Sequence, residues 1–133
     1  MGYLEKLTKK QQILMEILWN SDSPMTSMDI SRYVDGWSTT SLSNMINALI
    51  ERGFIRISNT EVINGHAARL LVAACSKEEY AAKLVSSLNI KNDSFPRVVT
   101  ALMHEFSSEE GYEDFVSDME SFLAEYKEKI HKK

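Results

Sequence analysis

The chain has 133 residues, 44% hydrophobic and 26% charged, the composition of a soluble globular protein of one domain, or of one small domain with an appendage. At this length it buries roughly two-thirds of its unfolded surface and needs no metal or disulfide to fold. Its single cysteine, Cys75, excludes an intramolecular disulfide and a cysteine cluster for a metal, and it fits a reducing cytoplasm.

The net charge of −4 is unevenly placed: residues 1–75 are neutral and the acidity lies in 76–133. A neutral N-terminal part is not the basic patch expected of a nucleic-acid binder. The start, MGYLEK, has no apolar leader region. The longest apolar runs, such as LLVAAC at 70–75, fall far short of the roughly 20 residues that span a bilayer. No membrane association is expected.

In chain order, LTKKQQILMEILW (7–19) opens on Thr8 as an N-cap. Ile13, Leu14, Ile17 and Leu18 then give the spacing of one helical face. NSDSP (20–24) breaks it. In MTSMDISRYV (25–34), Thr26 and Asp29 form a capping pair. Met28, Ile30, Tyr33 and Val34 supply the buried side of this second, short helix.

The third helix begins after Asp35-Gly36. Ser38 is its expected N-cap, Leu42, Met45, Ile46, Leu49 and Ile50 recur at helical spacing, and Gly53 stands where a C-terminal glycine belongs. FIRIS (54–58) then alternates as a strand does. Asn64-Gly65 is a two-residue hairpin turn, and ARLLVAA (68–74) reads as the returning strand. NTEVI between them is ambiguous, so the register stays open. Helix, helix, helix, hairpin is the order of a winged helix-turn-helix.

From Ser76 the chain turns helical again. Ser76 and Glu79 make a capping box for KEEYAAKLVSSL, NIKNDS (89–94) is a loop, and Pro96 sits in the first turn of the next helix. That helix carries Val98, Val99, Leu102, Met103 and Phe106. After Gly111, a last helix lines up Tyr112, Phe115, Met119, Phe122 and Tyr126, widened by Val116, Leu123 and Ile130. This aromatic stripe either packs on its own chain or is a self-association surface. The fold class expected is mainly α with a small β-hairpin: a winged-helix domain at 1–75, then a C-terminal helical dimerisation region at 76–133.

Little points to catalysis. His66, His104 and His131 are far apart in sequence, and the segment that begins His104-Glu105 has Ser108 where the zinc-protease helix motif needs its second histidine. There is no glycine-rich phosphate loop. Glu109-Glu110 lies in polar sequence and reads as solvated surface. Cys75 ends an apolar run and reads as a buried structural thiol, and the seven methionines read as core fillers. No enzyme, cofactor or metal is expected.

The third helix is the informative one. With its apolar stripe turned inward, the opposite face carries Thr40, Asn44, Asn47 and Glu51, flanked by Ser41, Ser43 and Ala48. Asn pairs bidentately with adenine, and Ser or Thr bonds to bases or phosphates in a major groove. The helix N-terminus offers amide donors and a positive dipole to a phosphate. The cations available are Lys9 and Lys10 on the first helix, Arg32 on the second, and Arg52, Arg56 and Arg69 at the helix end and in the wing. Such a thin complement predicts that one subunit binds weakly and two bind together.

The ordered motifs resemble the penicillinase repressor (BlaI/MecI) family over nearly the whole chain. LTKKQQILMEILW looks like that family's first helix ending in Trp, here Trp19, and MTSMDISRYV like its second. WSTTSLSNMINALIERGFI is similar to its recognition helix, with Trp37, Ser38, Leu49, Arg52 and Gly53 at the matching positions. RLLVAACSKEEY resembles the second wing strand running into the next helix.

The lone thiol and the absence of a leader or span give a cytoplasmic location as an expectation. The resemblance implies a dimeric winged-helix repressor whose partner is a double-stranded operator palindrome. It places Thr39, Thr40, Ser41, Ser43 and Asn44 on the operator-reading part of the helix and Arg69 in a wing that lies along the DNA backbone. It also implies that the C-terminal helices form the dimer interface, with Tyr112, Phe115, Met119, Phe122, Leu123 and Tyr126 on it. The chain departs from the family in having Thr39-Thr40 where Pro followed by a basic residue is common, and Ala48 where Arg is frequent. It has no Asn-Phe bond for inactivating cleavage and no C-terminal cysteine cluster for copper. The neutral face keeps a second reading open: a winged-helix protein-interaction module that has lost sequence-specific DNA binding.

Overall fold

The computed structural model describes residues 6–105 and 111–132. The chain start, Phe106 of the fifth-helix stripe, Ser108 and the Glu109-Glu110 pair lie outside the described residues. Two compact units divide the chain, Met1–Asn89 and Ile90–Lys133.

The first unit contains α1 (Lys9–Trp19), α2 (Ser27–Ser31), α3 (Thr39–Glu51), β1 (Ile55–Ile63), β2 (His66–Ala73) and α4 (Lys77–Ser87). This is the helix, helix, helix, hairpin order of a winged helix. Its core gathers Leu14, Met15 and Leu18 from α1, Ile30 from α2, Leu42, Ile46 and Leu49 from α3, and Phe54, Ile55 and Leu71 from the hairpin. Tyr80 of α4 joins them, so α4 belongs to the unit that holds the wing.

Three helices start where short-range sequence signals place them. Thr8, Thr26 and Ser76 each accept a hydrogen bond from the amide three residues on, and the side chains of Gln11, Asp29 and Glu79 bond back to the cap amide. Each box satisfies two amides that would otherwise be unpaired. α3 ends in a complete Schellman motif: the Gly53 amide bonds to Ile50 O at 3.1 Å and the Phe54 amide to Leu49 O at 2.9 Å. The motif needs a left-handed residue at its centre, and Gly53 supplies it with φ +84°.

Asn64 and Gly65 both have positive φ, 51° and 79°, the type I′ pair that matches the twist of a hairpin. The ambiguous NTEVI is strand: β1 runs through it, antiparallel to β2, with an irregularity in register between Ile57 and Asn59. A third segment joins the ribbon. Met25 makes a two-way bridge to Leu71, with amide-to-carbonyl distances of 3.0 and 2.8 Å. The loop before α2 is thereby stitched to the root of the wing.

Some faces differ from the expectation. Met28 and Tyr33 are 64% and 69% exposed, because α2 is five residues long and ends before a second turn can phase them inward. Ile30 is its buried side chain, and Val34, just past its end, is buried too. On α1, Ile13 is exposed and Met15 takes the inward place.

Thr26 is itself buried, at 4% exposure, so Thr26→Val should cost about 1 kcal/mol in urea denaturation through the lost cap. Asp29 sits below its ordinary pKa of 3.8, chiefly because the Thr26 amide donates to it, with Arg32 assisting. A lowered folded value means this contribution is complete above the ordinary value and fades as pH falls through the lower one. Melting temperatures measured from pH 5 down to 2 should therefore drop more in wild type than in Asp29→Asn.

The second unit contains a short 3₁₀ turn (Asn92–Ser94), α5 (Phe95–Glu105) and α6 (Tyr112–His131). Among its described residues none is buried. Tyr112, Phe115 and Met119 are half-buried, and the Tyr112 hydroxyl donates to Met103 O at 3.0 Å. Phe122, Leu123, Tyr126 and Ile130 are more than half exposed, and so is Leu102 on α5.

Candidate nucleic-acid interface

Burying Leu42, Ile46 and Leu49 leaves the opposite side of α3 to solvent. Thr40, Asn44, Asn47 and Glu51 form one exposed row at alternating spacings of four and three. Thr39 and Ser41 are exposed beside it, whereas Ser43 and Ala48 are half-buried on its flank.

The start of α3 is preorganised. The Ser38 hydroxyl accepts from the Ser41 amide at 3.0 Å and donates to the Ser41 hydroxyl at 2.9 Å. Ser41 is therefore part of the cap. The amides of Thr39 and Thr40 keep the outward direction of a helix N-terminus, the arrangement that receives an anion. Lys10 of α1 brings a charge to this end: its Nζ lies 5.5 Å from the centroid of the Trp37 ring, next to the cap residue. Sequence spacing counted Lys10 as an α1 charge, and the tertiary contact moves it to the α3 entrance.

The arginines divide by role. Arg52 donates from Nη1 to Gln11 Oε1 at 2.9 Å and lies over the Phe54 ring at 4.9 Å. Its guanidinium ties the end of α3 to α1. The same Gln11 oxygen accepts from the Thr8 amide at 3.0 Å, so one atom serves both the α1 cap and this tether. Arg32 pairs with Asp29 at 3.3 Å. Arg56 is exposed on β1.

Arg69 reaches from the wing to α3 and donates from Nη1 to Asn47 Oδ1 at 3.1 Å. Residues two apart on a strand share a face, so Arg69 lies on the face of β2 that buries Leu71 nearer the root. Of the predicted DNA-reading residues, Asn47 and Arg69 are thus joined directly.

No family model matches the chain, and no curated protein matches it. Among solved structures, the chain is similar to AbfR of Staphylococcus epidermidis, with 17% identity and a TM-score of 0.46, over 92% of this chain and 75% of that one. It is also similar to Staphylococcus aureus MarR in complex with salicylate and kanamycin, with 14% identity and a TM-score of 0.43, over 88% of this chain and 71% of that one. At these values the winged-helix assignment rests on the chain's own geometry.

Among the described residues no helix is long and apolar enough to cross a membrane, and no group of three His, Cys, Asp or Glu side chains is placed to hold a metal ion. Cys75 is half-buried, and burial pushes its thiol above the ordinary value. A raised pKa disfavours the thiolate that a nucleophile or metal ligand needs.

Proposed function

We propose that the chain is a cytoplasmic, dimeric DNA-binding transcriptional regulator. In this reading it is a repressor that reads an operator palindrome with α3 and lays its wing along the flanking backbone. The observation that supports this most is the exposed Thr40, Asn44, Asn47, Glu51 row, framed by an open helix N-terminus at one end and by Arg69 of the wing. Asn bonds bidentately to adenine, and Ser or Thr bonds to base edges, from a helix laid in a major groove. The exposed half of the α6 stripe supports a second copy as the partner that brings a second reading head. The resemblance of its motif order to that of penicillinase repressors points the same way.

Fluorescence anisotropy with promoter duplexes at several salt concentrations tests this reading. Saturable binding that weakens as salt rises is expected. Replacing Asn44 and Asn47 together with Ala should lower discrimination between operator and random DNA by roughly 1–3 kcal/mol per lost base contact.

A second reading, a winged-helix protein-interaction module without sequence-specific DNA binding, is favoured by the neutrality of the α3 face and by the commitment of Arg52 to Gln11. Equal, weak binding to every duplex would decide for it.

A further inference from the structure

We propose that Asn47 and Arg69 act as one composite reading unit that selects guanine. This refinement rests on the DNA-binding reading above. A lone Asn on a recognition helix favours adenine, because its amide oxygen accepts from adenine N6 while its nitrogen donates to N7. Here the oxygen already accepts from Arg69 Nη1 at 3.1 Å. The oxygen retains one lone pair, but a guanidinium stands beside it, and its positive charge repels the N6 amino hydrogens of adenine. The pair now presents donors: the two amide hydrogens of Asn47 and the remaining N–H groups of Arg69. Guanine is the base whose major-groove edge carries two acceptors, O6 and N7.

Of the carboxylates on this side, Asp29 lines a cleft with Arg69 and is paired with Arg32, and Glu51 lies one turn beyond Asn47 on α3. The residue across the ribbon from Arg69 is Thr60, which is uncharged. Glu61, one residue along β1, points to the opposite face of the ribbon. Asn47 and Arg69 are both exposed, so the paired groups are open to a groove. The pairing changes the role of each partner. Asn47 becomes a donor, and Arg69, which sequence resemblance assigns to the DNA backbone, joins base recognition.

The test is selection of bound duplexes from a random pool, using the full-length wild type, Arg69→Met and Asn47→Asp. Wild type should enrich guanine over adenine by about tenfold at one position of each half-site. Arg69→Met returns the amide oxygen to the groove and should move that position to adenine. Asn47→Asp replaces the donating amide with an acceptor and should abolish the guanine preference there. Asn47→Asp leaves the wing sequence intact, so it tests the proposal even if Arg69→Met folds poorly. Enrichment of adenine by wild type, or the same base chosen by wild type and either folded variant, would overturn the composite unit while leaving DNA binding in place. A wild type that enriches no motif removes the DNA reading itself.

Discussion

Truncating Tyr80 to alanine should cost the first unit about 3–5 kcal/mol. The side chain is 5% exposed and contacts two other rings, Trp19 at 5.9 Å and Phe54 edge-on at 5.7 Å between centroids. Its hydroxyl accepts from the Leu7 amide at 2.9 Å across a separation of 73 residues. Removal opens a cavity among these groups and strands a buried donor, a further penalty of roughly 1–3 kcal/mol where no water replaces it. Small domains hold about 5–15 kcal/mol in total, so this one residue accounts for a large share. The melting temperature should fall by roughly 15–30 °C. Tyr80→Phe keeps the ring and loses the acceptor, and should show about 1–3 kcal/mol of the loss. A Tyr80→Ala protein that melts within a few degrees of wild type would mean that α4 is not part of the core.

The second large effect concerns assembly and rests on the proposed dimer. Phe122 is 65% exposed, with Leu123, Tyr126 and Ile130 beside it on α6. A carboxylate at Phe122 would be harmless on a solvated helix and costly inside an apolar interface. Phe122→Asp should therefore sediment as a monomer at micromolar concentration while the first unit melts as in wild type. Because each subunit carries few cations, affinity for a duplex with both half-sites should fall by roughly 10²–10⁴-fold, the avidity that linking two binding modules provides. A wild type that is itself monomeric at that concentration would remove the mechanism.

Local chemistry made much of the first unit legible. A cap and the residue three positions on, Asn64-Gly65 in the left-handed region, and Gly53 one residue past the α3 C-cap are all decided within four or five residues, and the structure has each. The apolar phase of α3 was equally legible because thirteen residues repeat the period often enough to fix it. α2 has five residues, too few to fix a phase, so spacing points Met28 and Tyr33 inward although both are exposed.

The contacts that shape the candidate site are long-range. Arg52 meets Gln11 across 41 residues, and Arg69 meets Asn47 across 22. No periodicity encodes such pairs. Residue type marked Asn47 as a reader and Arg52 as a phosphate cation, yet only tertiary geometry assigns Arg52 to α1 and couples Asn47 to the wing.

The Met25 bridge has a mechanical consequence. It clamps the ribbon at Leu71, and β2 runs from there to its outer end at His66, a cantilever of roughly 17 Å at about 3.3 Å per residue. Arg69 lies two residues from the clamp, roughly 6.6 Å along the strand, so a tilt of about 9° would move it by roughly 1 Å, enough to lengthen a hydrogen bond out of range. The two bridge bonds at Met25 therefore set the angle at which Arg69 arrives over Asn47.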